Sequence, residues 1–171
     1  AVRPAAEAAV TDDARPALTV SFPDNGRVTE GTGGTTKVPV TISISTSHHT
    51  GASLKLRRRG SARAGAACTG QVDLIATSDI IGVSWLPGDG ADKTVMVVIC
   101  GDSRDEDTDT IELTTVAVVD ADIAPGSASR LVIFDDDPPP GLSVQDLTVV
   151  EGAPAQVNIV LSAASDLPVE V

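Results

Sequence analysis

The feature that most limits what this chain can become is an alternation of apolar and polar residues with a period of two. It runs through "KVPVTISIS" (37–45) and "TIELTTVAVV" (110–119). Successive side chains of an extended strand point to opposite faces, so this spacing puts Val38, Val40 and Ile42 on one side. Helical spacing is almost absent. The same alternation recurs in "LTVSF" (18–22), "SLKLR" (53–57), "VSWL" (83–86), "KTVMVVIC" (93–100) and "SRLVIF" (129–134), each bounded by Gly, Pro, Asp or Asn. "FPDNG" and "LPGDG" are turn signals, because Gly and Asn accept positive φ. Seven short strands of this kind predict an all-β, two-sheet antiparallel sandwich. The stretch 59–79 is ambiguous, with "QVDLIA" either a further strand or part of a long connection.

Such a sandwich needs a core. The chain is 42% hydrophobic but holds one Trp, two Phe and no Tyr, so Val, Ile, Leu and Ala must fill it. Expected inward positions are Val38, Val40, Ile42, Val95, Val97, Ile99, Leu113, Leu131 and Ile133, with Trp85 against them. The net charge of −12 would repel a phosphate backbone, which argues against nucleic acid as a partner. No apolar run approaches the ~20 residues of a membrane span. "AVRPAAEAAV" has no secretory-signal pattern, so the chain is expected to be cytosolic or a mature segment of something larger.

The two ends resemble one another. "TDDARPALTVSFPDNGRVTEGTGG" parallels "FDDDPPPGLSVQDLTVVEGAPA": an Asp run, prolines, a short strand, then Val-x-Glu-Gly at Glu30 and Glu151. A tandem array is expected. Residues 1–17 would be the tail of a preceding repeat or a linker, 18–138 one complete repeat, and 139–171 the opening strands of a truncated second copy.

Acidic residues concentrate in "GDSRDEDTDTIEL" and in "LVIFDDDPPP". If seven strands alternate in direction, the ends of the first, third, fifth and seventh share one pole. Glu30, Asp73 or Asp79, the 102–109 loop and Asp135 to Asp137 then gather there. Carboxylates ~4 Å apart repel by several kcal/mol at an effective dielectric of 20. A cation would relieve this, and an all-oxygen set on loops suits Ca²⁺ better than Mg²⁺ or zinc. A solvated acidic loop is the plainer alternative.

In order and spacing, "VTEG", "WLPGDGADKTVMVVICGDSRDEDTD" and "LVIFDDDPPP" resemble the Calx-beta domain family over about 18–138, with a second start from 142. The resemblance implies an immunoglobulin-like sandwich of about seven strands that binds calcium at its distal pole. Carried over by motif, the ligands would be Glu30, Asp102, Glu106, Asp109, Asp135, Asp136 and Asp137. The family's Gly-Thr-Ala…Asp-Tyr signature is missing, and Asp79 or Asp73 must serve instead, with Asp79 the expected member of the site. Trp85 stands where the family has Phe, and Gly101 where a further Asp is common. Fewer ions or weaker binding are expected, with affinity nearer the ~10⁻⁴–10⁻³ M of extracellular modules.

Other features carry less. His48 and His49 sit in a polar hairpin tip, and Ser47 beside them has no oriented acid or oxyanion hole. Arg57, Arg58, Arg59 and Arg63 read first as gatekeeping charge on an exposed edge, and second as a docking patch for an acidic partner, a glycan or a neighbouring repeat. A glycosidase-like carboxylate dyad would want aromatic platforms, which this chain lacks. An enzyme is not expected.

Cys68 and Cys100 have no CxxC and no adjacent histidine, which leaves a disulfide or two buried thiols. A bond is expected, because Cys100 ends the fifth strand at the pole and the connection holding Cys68 returns past it. The function expected is a calcium-stiffened module of an extracellular or cell-surface adhesion protein, with calcium, neighbouring repeats and another protein or a glycan as partners. A calcium-independent spacer or protein-interaction domain is the alternative.

Overall fold

A computed structural model describes residues 14–125, 127 and 130–170, and among these no helix occurs. Two sheets face each other. The first orders its strands as β10 (Asp122–Ile123), β1 (Ala17–Ser21), β3 (Gly34–Ile44), β8 (Lys93–Gly101), β6 (Leu74–Ile75) and β5 (Ala64–Gly65). The second runs β2 (Arg27–Thr29), β11 (Arg130–Phe134), β9 (Asp109–Val119), β4 (Ala52–Arg59) and β7 (Ile80–Trp85). A separate hairpin pairs β12 (Leu142–Val144) with β13 (Ile159–Leu161).

The core lies where the period-two pattern puts it. Val38, Val40, Ile42, Val97, Ile99, Leu113, Leu131 and Ile133 are buried between the sheets, and Val95 packs against them half-buried. Trp85 is buried as well, its indole N–H donating to the Ala91 carbonyl at 2.7 Å. That bond satisfies the one polar atom a buried Trp brings with it.

The long strands pair antiparallel, but three short pairs at the margins are parallel: β1 with β10, β2 with β11, and β5 with β6. A purely antiparallel sandwich is therefore corrected. The cause at one margin is local. Asp24, Asn25 and Gly26 all take positive φ, and the chain leaves the first sheet there and joins the second. A Cβ on Gly26 would stand 2.2 Å from the Arg130 carbonyl oxygen, so only glycine admits this crossing. The expected strand 18–22 is β1 in the first sheet, and a further short strand that alternation did not mark, β2, follows in the second. β2 then runs beside β11, which sets the Val-x-Glu-Gly corner next to the terminal Asp run.

Residues 59–79 form a connection with two short strands. β6 adds to β8, with Leu74 opposite Ile99.

Candidate metal centre

Glu30 directly follows β2, and its N–H donates to the Phe134 carbonyl at 3.1 Å. Its side chain is 5% exposed and Oε1 has no hydrogen-bond partner. A carboxylate oxygen of Glu30, one of Asp102 and one of Asp137 lie within 4.8 Å of one another. Burial, then the charges of Glu106, Asp102, Asp135 and Asp137, push the Glu30 carboxyl up to about 8. An unpartnered buried carboxylate costs free energy unless it is protonated or meets a cation.

A second group stands beside the first. Asp73, Glu106 and Asp109 also bring one carboxylate oxygen each within 4.8 Å. Burial and the neighbouring Asp73, Asp102 and Asp166 push Glu106 up to about 7. Asp73 rises to about 6, burial being the largest cause and the Arg63 N–H opposing it. These residues line a cleft of about 360 Å³ with Asp107 and Asp166.

The three terminal aspartates take three different tasks. Asp135 accepts from the Glu106 N–H and the Asp137 N–H, each at 2.9 Å, and so ties the acidic loop to the end of β11. Asp136 is exposed and accepts from the Gly31 N–H at 3.0 Å, bracing the turn after Glu30. Asp137 alone turns into the Glu30 group, with Oδ2 buried and unpartnered.

Asp79, the residue expected from the 59–79 connection, does not reach the pole. It precedes β7 at the margin of the second sheet, where Arg58 donates to its carboxylate and its side chain is 64% exposed. Asp73 takes that place. Its carbonyl accepts from the Cys100 N–H at 2.9 Å, and Cys100 is bonded to Cys68 with the Cα atoms 5.4 Å apart. The pairing of β6 with β8 and the disulfide thus anchor Asp73 at the root of the acidic loop.

Nothing in the sequence marked Asp166. It lies in the 139–171 segment, which folds back so that Asp166 N–H donates to the Asp105 carbonyl at 3.0 Å and Ser165 Oγ to the Asp105 carboxylate at 2.9 Å. Arg104 Nε donates to Asp166 at 2.8 Å, Arg63 lies 3.6 Å away, and Gln71 also donates to it. Burial would raise the Asp166 carboxyl, but hydrogen bonds from Arg104 and Gln71 outweigh it and hold the group below the usual range. No local periodicity signals a long-range return of this kind.

No protein-family model matches the sequence, and no curated protein matches it. Solved structures do match. The calcium binding domain CBD12 of CALX1.1 aligns at TM-score 0.51 and 16% identity, covering 80% of this chain and 53% of that one. CBD12 from CALX1.2 aligns at TM-score 0.51 and 16% identity, over 70% of this chain and 44% of that one. The apo-form Calx CBD1 domain aligns at TM-score 0.48 and 18% identity, over 72% of this chain and 100% of that domain. The fold is Calx-beta-like. Identity this low speaks of the fold alone, and the chain spans about half the length of the two CBD12 structures.

Against the Calx-beta pattern, Gly101 now has a steric reason. A Cβ there would stand 2.1 Å from the Gly31 carbonyl oxygen and 2.7 Å from that of Glu30. The Val-x-Glu-Gly corner lies directly on the end of β8, so no aspartate fits at 101, and Asp102 is the carboxylate that this end of β8 leads into.

Proposed function

We propose that the acidic pole binds calcium and that binding stiffens a tandem array in an extracellular or cell-surface protein of adhesion type. The observation that carries this is Glu30: a buried carboxylate with an unpartnered Oε1, aimed among Asp102 and Asp137. The donor set is oxygen only, on loops and strand ends, which suits a hard cation of flexible coordination. Glu30, Asp102 and Asp137 would hold one ion. Asp73, Glu106 and Asp109 would hold another, with Asp135 positioning the loop and Asp136 bracing the Glu30 turn.

Residues 18–138 are the complete domain in this reading, 1–17 a tail or linker, and 139–171 the opening of a second repeat. Residues 1–13 lie outside the described residues. Support for the second repeat comes from its hairpin. β12 pairs antiparallel with β13 as β1 pairs with β3, and Val144, Ile159 and Leu161 are exposed, as strands without their remaining partners would be. Asp137 starts the linker to that segment, so an ion at Asp137 restricts the hinge at Pro138 to Pro140. The disulfide favours an oxidising compartment.

A calcium-independent spacer has one observation in its favour: Arg104 and Arg63 already place positive charge beside the second carboxylate group. Titration calorimetry of the whole chain with calcium, against a chelated sample, separates the two. Heat saturating with calcium supports the first reading, and none supports the spacer.

A further inference from the structure

The outward face of the second sheet has a charge opposite to that of the molecule. Along β4, Leu54 and Leu56 point into the core, so Lys55, Arg57 and Arg59 point out, and all three are exposed. Alternate residues of one strand are ~7 Å apart, which makes these three a straight row. The register extends the row sideways. Arg59 lies opposite Glu112, Glu112 opposite Arg130, and Val132 of the same strand opposite Arg27. Arg27 lies over the Phe134 ring, 5.1 Å from its centre, on this same face.

Five of the chain's 12 basic residues therefore share one sheet face, within a sequence carrying 24 acidic ones. Glu112 is the one acidic side chain among the described outward positions of these strands, and among the described residues Lys55, Arg57, Arg59, Arg130 and Arg27 form no ion pair. At physiological ionic strength charges more than ~8 Å apart are largely screened, so a ligand lying on this face meets the local cations rather than the net charge.

We infer that this face binds a linear anionic polysaccharide, one bearing sulfate or uronate groups. Thr110 and Thr114 lie among the cations on the same outward rows, Ser84 lies at the end of the row beyond Lys55, and all three bring hydroxyls to this face. A protein partner would want a buried aromatic or aliphatic anchor at the centre of its footprint, and the centre here is Glu112, Arg57 and Thr114. The Phe134 ring is already covered by Arg27. Single-stranded nucleic acid would want open aromatic platforms for its bases, which this face lacks. The guanidinium fork matches pairs of oxygens on carboxylates and on tetrahedral oxyanions such as phosphate, and a sulfate group presents its oxygens in the same tetrahedral way.

The test uses the whole chain in chelator, so that cations at the acidic pole take no part, with immobilised heparin as the probe. The parent should bind, and the triple variant Lys55→Gln/Arg57→Gln/Arg59→Gln should bind about tenfold more weakly or worse, at three exposed contacts of modest worth each. Lys37→Gln, on the outward face of the other sheet, should leave binding unchanged, and all variants should keep the parent's melting temperature because the altered groups are exposed. The inference is overturned if the parent does not bind, if the triple variant binds as the parent does, or if Lys37→Gln weakens binding equally. Stronger binding to polyglutamate or to anionic phospholipid vesicles than to heparin would also overturn it, in favour of a protein or a membrane.

Discussion

Glu30 is where the acidic pole is most strained, because burial and four neighbouring carboxylates all favour its protonated form. A carboxyl whose folded pKa is raised holds its proton longer in the folded state, so stability is greatest below the unfolded value and is lost as pH rises through the folded one. For Glu30 that window ends at about 8, and Glu106 at about 7 and Asp73 at about 6 act in the same direction. The metal-free chain should therefore melt at a higher temperature near pH 5 than near pH 8, and Glu30→Gln should flatten much of that slope. Thermal melts across pH in chelator measure it, and a melting temperature that rises toward pH 8 would oppose it.

The two aspartates of the 59–79 connection separate by the same kind of test. Asp79→Ala removes the partner of the mostly buried Arg58 and should cost about 1 kcal/mol, with any calcium response unchanged. Asp73→Asn should weaken the calcium response instead. Denaturant melts with and without calcium distinguish them, and the reverse pattern would restore Asp79 to the site.

At the scale of elements, the disulfide does two things. It closes a loop of sequence separation 32, worth about 3–4 kcal/mol if the restriction of the unfolded chain is fully expressed. It also fastens the segment leading to Asp73 against the end of β8. Cys68→Ser with Cys100→Ala should therefore lower stability by about that amount and weaken calcium binding beyond what Lys37→Gln does. Equal calcium affinity in the double variant would show that β6 alone positions Asp73.

The long strands were legible because each buries one face, and alternation is the direct record of that. Val38, Val40 and Ile42 could be assigned inward from spacing alone. The crossing between sheets at Asp24 to Gly26 was not legible. "FPDNG" announces a turn, but a hairpin and a crossing between sheets use the same left-handed residues, and the partner that decides between them, Arg130, is over a hundred positions away. The different placement of Asp73 and Asp79 was not legible for a similar reason. Two residues of β6 decide it, and so short a strand leaves no periodicity. Asp166 was invisible because its contacts at Arg104 and Asp105 depend on a return of the chain that no local pattern encodes.

For the whole molecule, the parts divide by charge. One end gathers two carboxylate groups, the terminal Asp run that continues into the linker, and a segment folded back through Ser165 and Asp166. One side carries a basic face. A cation bound at these carboxylates would sit where residues 18–138 meet the 139–171 segment. The measurement that bears most directly on this is the melting temperature of the unaltered chain near pH 7.5, in chelator and in millimolar calcium. At the ~10⁻⁴–10⁻³ M affinity expected of such a module, 1 mM calcium is about 1–10 times the dissociation constant and should stabilise by ~0.4–1.4 kcal/mol, a rise of roughly 1–5 °C for a chain of this size. A melting temperature that millimolar calcium leaves unmoved would contradict a cation site at the acidic pole.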